Sequence, residues 1–316
     1  MPLISRLAFF GTPDFAVPTL DALVRAGRAP LLVVAQPDRP AGRGGRLQQP
    51  PVAGYAQRES LPLAQPERVR EPEFLARLEA LDLDVAIVVA FGQIFPARLL
   101  AAPRLGCINL HASLLPAYRG AAPIQGAIAA GETTTGVTTM RMEQGLDTGP
   151  ILLQENVAIG PAETSGDLST RLAAVGARLI LETLDRLEAG DLASVAQEDA
   201  RASYAPRIAK GAGRVDWSLP ARTLADRLRA FTPWPGLSAE LSGTPIKIVR
   251  ARPAEDPIPL ASSAPGTVVA ISDGALQVAC GDGALALLEL QRPGRRPLLA
   301  ADFANGERLA VGARFS

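Results

Sequence analysis

Residues 85–111, VAIVVAFGQIFPARLLAAPRLGCINLH, contain two short apolar runs that are separated by a longer, more polar stretch. The runs at residues 85–90 and 107–110 have the length and composition of buried strands. Each run is followed by turn-forming residues and then by a helix-like stretch. Strands that alternate with helical stretches are typical of an open, mostly parallel sheet, so the sequence predicts a Rossmann-like α/β fold.

The same alternation continues on both sides of this stretch. Apolar runs and alternating patterns predict further strands at residues 7–10, 31–35, 136–142 and 151–157. Apolar residues at helical spacing predict amphipathic helices at residues 13–26, 74–81, 124–130 and 167–187.

The character of the chain changes at residues 191–213, which are small, polar and charged and show little periodicity. We interpret this segment as a linker. Beyond it, patterns predict one helix at residues 221–229 and short strands at residues 245–249, 266–271, 275–279 and 284–290. Glycine, proline and aspartate punctuate these strands, which favours a small, OB-like antiparallel β-barrel. The predicted domains are therefore residues 1–190, a linker at 191–213, and a barrel at 214–316.

Composition excludes several classes of protein. The chain has 316 residues, 47% of them apolar, and carries 32 basic and 32 acidic side chains. With one histidine and two distant cysteines, Cys107 and Cys280, no metal site is expected. The first residues, MPLISRLAFFG, do not resemble a signal peptide, and no apolar run could span a bilayer, so a cytoplasmic protein without membrane contact is expected.

The chemistry concentrates where the strand at residues 107–110 ends. The only histidine, His111, lies two residues after Asn109. If the strand continues to position 111, both side chains emerge on one face at the edge where open α/β sheets bind ligands. An amide and an imidazole can both donate to a carbonyl oxygen that gains negative charge, as acyl or formyl transfer requires. A histidine held in a core hydrogen bond is the plainer alternative.

A third polar residue lies in the segment GLDTG at residues 145–149. Glycines on both sides of Asp147 indicate a tight loop. Its carboxylate could orient His111 or stabilise the protonated imidazole. An aspartate in a simple turn is the alternative reading.

The sequence around His111 resembles the signature of a known family. The run NLHASLLP at residues 109–116, followed by Tyr118, Arg119 and Gly120, resembles the signature of the 10-formyltetrahydrofolate-dependent formyltransferases. The resemblance extends to the C-terminal part, in blocks at residues 10–16, 36–44, 88–94, 136–149, 215–218, 233–236 and 302–306.

The resemblance implies direct formyl transfer from 10-formyltetrahydrofolate to the α-amino group of methionyl initiator tRNA, without a metal. Asn109, His111 and Asp147 fall on the catalytic positions of the family. The residues that match its folate-binding positions are Phe91, Gly92, Gln93, Ile94, Ser113, Leu114, Leu115, Pro116, Met142, Gly145 and Leu146. This chain departs mildly from the family pattern at Phe91, Ala117 and Gly126, which affects the shape of the pocket and not the reaction.

The segment at residues 37–49 is rich in glycine and arginine, as a solvated surface loop would also be. In related tRNA enzymes a loop at this position reaches the top of the initiator acceptor stem. The resemblance implies that Arg43 contacts the unpaired end of that stem and that Arg39 and Arg46 contact nearby phosphates. Arg207 and Lys210 begin a basic stripe that is expected to contact the acceptor arm. A monomer is expected.

Other functions have less support in the sequence. A formyltransferase that acts on a small amine, such as glycinamide ribonucleotide or an amino sugar nucleotide, is the nearest alternative, but those relatives commonly have proline where this chain has Ala112. A nonenzymatic tRNA- or folate-binding protein would not need Asn109, His111 and Asp147 together. The fingerprints of dinucleotide-binding proteins, phosphate-loop enzymes and serine hydrolases are missing.

Overall fold

A computed structural model describes residues 4–41, 45–255 and 263–316. These residues form two compact units. The first unit contains the chain up to Pro123, Thr134–Ala158 and Ser169–Pro206. The second contains Ile124–Thr133, Ile159–Leu168 and Arg207–Ser316. The domain limits given above, with a linker at residues 191–213, stay predictions.

The strands of the first unit are β1 (Leu7–Gly11), β2 (Leu32–Val34), β3 (Arg39–Ala41), β4 (Arg46–Gln48), β5 (Leu63–Ala64), β6 (Val85–Val89), β7 (Cys107–His111), β8 (Thr134–Arg141) and β9 (Ile151–Ala158). One sheet has the order β5-β2-β1-β6-β7-β8-β9. Its first five strands are parallel, whereas β8 and β9 are antiparallel to their neighbours. The predicted open, mostly parallel α/β sheet is confirmed.

The helices are α1 (Val17–Arg25), α2 (Pro51–Arg58), α3 (Pro72–Glu79), α4 (Ala97–Ala101), α5 (Pro123–Ala129), α6 (Ser165–Ala189), α7 (Ala221–Ala230) and α8 (Ala300–Glu307). Proline occupies the first turn of α1, α2 and α3, where its missing N–H has no cost. The helix predicted at residues 13–26 is a short 3-10 turn, Asp14–Ala16, followed by α1.

The core of the first unit lies on both sides of the central strands. Every residue of β1 and β6 is buried, as expected for parallel strands covered on both faces. Burying this many apolar side chains, at about 1.5–3 kcal/mol each, fixes the central strands firmly. The carboxyl ends of β1, β6 and β7 therefore meet at one edge, and they hold the loops that follow them in place.

The second unit contains β10 (Leu237–Leu241), β11 (Thr244–Pro253), β12 (Val268–Ser272), β13 (Ala275–Ala279), β14 (Ala284–Gln291) and β15 (Leu298–Leu299). They form an antiparallel sheet of order β10-β11-β14-β13-β12, with β15 on β14. The last residues of the chain bond both edges of this sheet. Phe315 bridges Leu241 of β10, and Arg314 bridges Thr267 next to β12. This closure confirms the predicted antiparallel barrel.

Several elements were not predicted. The segment at residues 37–49, interpreted as a loop, contains the antiparallel hairpin β3–β4. The side chains of β4 are all exposed, so no buried alternation marked it in the sequence. Helices α2 and α8 and strand β10 were also missed. In the described ranges, no helix has both the length and the apolarity that crossing a bilayer would need.

Candidate active site

Strand β7 does continue to His111. Asn109 pairs with Val88 of β6 and Met140 of β8, and His111 pairs with Thr138 of β8. Because side chains alternate along a strand, Asn109 and His111 are on the same face of the sheet. Asn109 is half-buried, and His111 is buried with 6% of its surface exposed.

The ring of His111 has one nitrogen occupied. Its Nε2 lies 3.0 Å from the carbonyl oxygen of Tyr118. Because a carbonyl oxygen can only accept, Nε2 carries a hydrogen in this arrangement. Nδ1 then lies 3.7 Å from Oδ2 of Asp147, too far for a direct hydrogen bond but close enough for charge stabilisation. Nδ1 is therefore the nitrogen that can exchange a proton.

Asp147 lies in the loop at residues 143–149, and its backbone has a φ of 55°. This left-handed conformation is uncommon outside glycine, although aspartate tolerates it better than most residues. The carboxylate Oδ2 accepts a hydrogen bond of 2.8 Å from the N–H of Gly120. Gly149 allows the loop to approach β8, since a Cβ at this position would lie 1.9 Å from the carbonyl oxygen of Arg141. The loop thus brings the carboxylate to the histidine.

The loop that follows β7 is held by hydrogen bonds. Ser113 Oγ donates to the carbonyl of Ala117 at 2.6 Å, and Thr138 Oγ1 donates to the carbonyl of Ser113 at 2.6 Å. The side chains of Ser113 and Leu115 are buried, whereas Leu114 and Pro116 are half-buried. Because Ser113 and Leu115 are buried, they can shape a binding site only through the backbone of the loop that they stabilise.

The loop that follows β6 has two buried aromatic side chains and one exposed apolar side chain. Phe91 and Phe95 are buried and contact Phe10 edge to face, with ring centroids 5.4 and 5.0 Å away. In contrast, Ile94 is 94% exposed. Ala90 and Gly92 have φ values of 46° and 87°, which turn the backbone sharply between these residues.

Polar side chains from neighbouring strand ends fix the same loop. The carbonyl of Phe91 accepts hydrogen bonds from Thr12 Oγ1 at 3.0 Å and from Gln36 Nε2 at 3.2 Å. Gln93 Oε1 accepts the N–H of Val69 at 2.9 Å. Gln93 thus has a defined internal role, and Gly92 next to it is exposed.

The remaining folate-binding candidates lie at the start of the loop that carries Asp147. Met142 is half-buried and its N–H donates to the carbonyl of Cys107. Gly145 and Leu146 are exposed, Leu146 by 60%. Leu146 and Ile94 are thus large apolar side chains that lie in water on the two loops predicted to bind folate. Single exposed apolar residues are ordinary, but their positions here fit a ligand that covers them.

The candidate tRNA-binding residues are all exposed where they are described. Arg39, on β3, forms an ion pair of 2.7 Å with Glu67. Arg46, on β4, forms no ion pair with any residue in the described ranges. Arg207 and Lys210 are exposed in the second unit. Arg43 lies outside the described residues.

Sequence reasoning missed one component of the site. Residues 195–205, here called the strap, lie in the segment interpreted as a linker, yet they contact the loops around His111 and Asp147. Gln197 Nε2 donates to the carbonyls of Asp147 and Gly149 at 2.8 and 2.7 Å. The available signal was Arg119, because an arginine in a stretch of small and apolar residues needs partners from elsewhere in the chain if it is buried.

The described residues contain no candidate metal site. Within residues 4–41, 45–255 and 263–316, no three His, Cys, Asp or Glu side chains converge in a way that could hold a metal ion. The expectation that the reaction needs no metal stays a prediction.

Comparison with known proteins decides the family. The Formyl transferase family model matches residues 5–184, and the model of the Formyl transferase C-terminal domain matches residues 207–308. The chain belongs to the formyl transferase family. Among curated relatives, it is 50% identical over 318 residues to methionyl-tRNA formyltransferase of Synechococcus sp. (strain JA-3-3Ab), with 98% of each chain covered.

A second relative agrees with the first. The chain is 46% identical over 308 residues to methionyl-tRNA formyltransferase of Geobacter metallireducens, with 98% of this chain and 97% of the relative covered. Among solved structures, a sugar 3N-formyl transferase, WlaRD, in the presence of dTDP and 5-N-formyl-THF has a TM-score of 0.66. That structure covers 93% of this chain at 16% identity, so it supports the fold alone.

Proposed function

We propose that this formyltransferase moves the formyl group of 10-formyltetrahydrofolate to the α-amino group of methionyl initiator tRNA. Identity of 46% and 50%, over nearly the full length, to relatives named methionyl-tRNA formyltransferase supports the assignment of this substrate. The observation that carries the chemistry is the arrangement of Asn109, His111 and Asp147 at the end of β7, with the imidazole Nδ1 3.7 Å from the carboxylate.

Asn109 acts on the formyl oxygen. As the amine attacks the formyl carbon, negative charge grows on that oxygen, and a fixed N–H donor stabilises it. The amide of Asn109 is available for this role, because it is half-buried at the sheet edge on the same face as His111. One such donor contributes on the order of 10²- to 10³-fold to the rate.

His111 and Asp147 manage the proton. The amine nitrogen must lose a proton as it bonds to the formyl carbon. The bond from this carbon to N10 of the folate must then break, and N10 must gain a proton. Nδ1 of His111 and the carboxylate of Asp147 face each other, so the proton leaves onto this pair. Tyr118 holds Nε2 and thereby fixes the ring orientation. Once protonated, Nδ1 is also a donor toward the oxyanion.

The folate binds against the loops at residues 91–95 and 142–147. Ile94 and Leu146 present apolar surface, and the sharply turned backbone near Gly92 offers hydrogen-bonding groups for the edge of a pterin ring. Backbone recognition is consistent with the inward orientation of Phe91 and with the internal hydrogen bonds of Gln93. Ser113, Leu114, Leu115 and Pro116 shape the wall from the loop after β7.

The tRNA is recognised by the hairpin β3–β4 and by the second unit. Arg39 and Arg46 are exposed cations on this hairpin and suit contacts with phosphates of the acceptor stem. We assign the contact with the unpaired end to Arg43, which lies between them in sequence. Arg207 and Lys210 are exposed cations of the second unit and suit further contacts with phosphates. The protein acts in the cytoplasm, where translation starts, and as a monomer.

Substrate class is the first property to test. Formyl transfer from 10-formyltetrahydrofolate is measured with methionyl initiator tRNA, glycinamide ribonucleotide and an amino sugar nucleotide as separate acceptors. We expect product only with the tRNA. Transfer to either small amine, with none to the tRNA, would contradict the proposal and make the hairpin β3–β4 an ordinary surface feature.

A further inference from the structure

The strap is joined to the loop after β7 by backbone hydrogen bonds. The N–H of Arg119 donates to the carbonyl of Ser203, and the N–H of Ala205 donates to the carbonyl of Arg119, both at 2.8 Å. The hydroxyl of Ser203 also accepts the N–H of Tyr118 at 2.9 Å. Tyr118 is the residue whose carbonyl holds Nε2 of His111. The strap thus supports the residue that fixes the imidazole.

Arg119 is a buried cation whose described side-chain partners lie in the strap. It is 2% exposed. Its guanidinium donates to Gln197 Oε1 at 2.9 and 3.1 Å and to Asp199 Oδ1 at 2.8 Å. Burial alone would lower the pKa of Arg119, but hydrogen bonds with Asp199 and Tyr204 outweigh it and raise the pKa above its ordinary value. The guanidinium therefore stays charged, and its partners stay bound.

Gln197 connects this cation to the loop that carries Asp147. Its oxygen accepts two hydrogen bonds from Arg119, and its nitrogen donates to the carbonyls of Asp147 and Gly149. A flipped amide would place N–H groups against the guanidinium and an oxygen against two carbonyls. Only one orientation is therefore compatible with its neighbours.

The loop needs such support. Asp147 has the left-handed φ of 55°, which is less favourable than the usual backbone regions even for aspartate, so contacts from neighbours help to keep it. Gly120, which donates to the carboxylate, is covered by the strap so closely that a Cβ would lie 2.7 Å from the carbonyl oxygen of Ala205. The strap therefore supports Asp147 in two ways: Gln197 bonds its carbonyl, and Ala205 packs against Gly120, which bonds its carboxylate.

We infer that Gln197 is a positioning residue of the active site, which uses the buried charge of Arg119 to hold Asp147 against His111. It touches no substrate, and its effect on catalysis passes through the carboxylate. This inference rests on the proposed roles of His111 and Asp147. Within the strap, this role belongs to Gln197, through its contacts with Arg119, Asp147 and Gly149.

The test compares two variants of Gln197 with a matched control. Gln197→Met has a similar length but removes the two hydrogen bonds with Arg119 and the two with the carbonyls of Asp147 and Gly149. Gln197→Glu keeps the acceptors for Arg119 but turns an oxygen toward the two carbonyls. Glu198→Gln changes the next residue, which is exposed and lies 3.9 Å from its ion-pair partner Arg201. We expect kcat to fall on the order of 10- to 100-fold in both Gln197 variants, with KM for tRNA nearly unchanged and wild-type kcat in the control.

A double-mutant cycle separates positioning from a general structural role. If Gln197 acts through Asp147, then Gln197→Met should cost almost nothing further in an Asp147→Asn background. The same loss of kcat in both backgrounds, or wild-type kcat in the single Gln197 variants, would overturn the inference.

A second readout needs no substrate. His111 is the only histidine in the chain, so its ring resonances in the NMR spectrum can be assigned without ambiguity. Loss of the Gln197 contacts should move the carboxylate and shift these resonances, whereas Glu198→Gln should leave them in place. Unchanged resonances in Gln197→Met would overturn the inference, whatever the activity of the wild-type chain. Failure of the wild-type chain to formylate tRNA would count against the proposed function alone.

Discussion

The two sides of the active site are held by different kinds of force. Asn109 and His111 belong to β7, whose position is set by backbone pairing with β6 and β8 and by burial of its apolar side chains. Asp147 belongs to a loop, and hydrogen bonds from Gly120 and Gln197 set its position.

Because of this difference, substitutions on β7 should change the chemistry alone, whereas substitutions around Asp147 should also change the geometry of the site. A strand residue that is truncated leaves its neighbours in register, because the sheet hydrogen bonds do not involve its side chain. A loop residue or its support can change the path of the backbone, because few contacts define it. Substitutions of Asn109 or His111 on β7 should therefore lower activity without lowering stability, whereas substitutions around Asp147 should lower both.

Asn109→Ala should show a large loss of activity without a loss of stability. Loss of one oxyanion donor should lower kcat on the order of 10²- to 10³-fold, with the melting temperature close to that of the wild type. Steady-state kinetics and thermal unfolding measure the two quantities. Asn156→Ala, on the exposed side of β9, is the matched control and should be neutral. A melting temperature that falls together with kcat would break the distinction between the two sides.

Gly149→Ala should show the mixed behaviour of the other side. The added methyl would meet the carbonyl oxygen of Arg141, so the loop must move, at a cost of about 1–3 kcal/mol in unfolding free energy. We expect a lower melting temperature together with a loss of kcat. Gly211→Ala is the control, because a Cβ there meets no atom within 4 Å. Unchanged kcat in a destabilised Gly149→Ala would show that Asp147 does not depend on this loop.

A smaller effect is expected at the hairpin β3–β4, whose arginines are proposed to contact phosphates and not the reacting atoms. Arg46→Ala should raise KM for initiator tRNA several-fold and reduce the slope of log affinity against log salt by about one, as the loss of one phosphate contact does. Arg25→Ala on α1, whose side chain is exposed and paired with Asp21, is the control. A salt slope equal to that of the wild type would remove Arg46 from the interface.

The smallest effect concerns the two thiols. Burial raises the pKa of Cys107 to about 12 and that of Cys280 to about 11, so almost no thiolate is present near neutral pH. A thiol reagent at pH 7.5 should leave activity unchanged, and both thiols should react only after unfolding. Rapid modification of the native protein would show that one of them is more accessible than its burial indicates.

Most of the fold and the β7 side of the site could be predicted, because burial leaves a pattern in neighbouring residues. Strands β1 and β6 are continuous apolar runs, and the spacing of Asn109 and His111 on β7 follows from the geometry of a strand. The ends of predicted elements differ from the observed ends by a few residues, since apolar patterns do not record where backbone hydrogen bonds stop.

The support of Asp147 could not be predicted, because its hydrogen bonds leave no local pattern. Gln197 and Arg119 are 78 positions apart, and the strap between residues 195 and 205 lacks regular periodicity. The hairpin β3–β4 escaped for a related reason, as β4 is exposed on both faces. The residues that close the barrel were missed because only Phe315 at the chain end is large and buried.

The most direct test of the account is the rate of formyl transfer to charged initiator methionyl-tRNA, with elongator methionyl-tRNA as control and His111→Ala alongside. We expect rapid transfer to the initiator only. The variant should lose about 10²- to 10⁴-fold in rate, because it lacks the residue that moves the proton. Transfer by His111→Ala at the wild-type rate would contradict the assignment of the site, and equal transfer to both tRNAs would contradict the proposed role of the hairpin β3–β4.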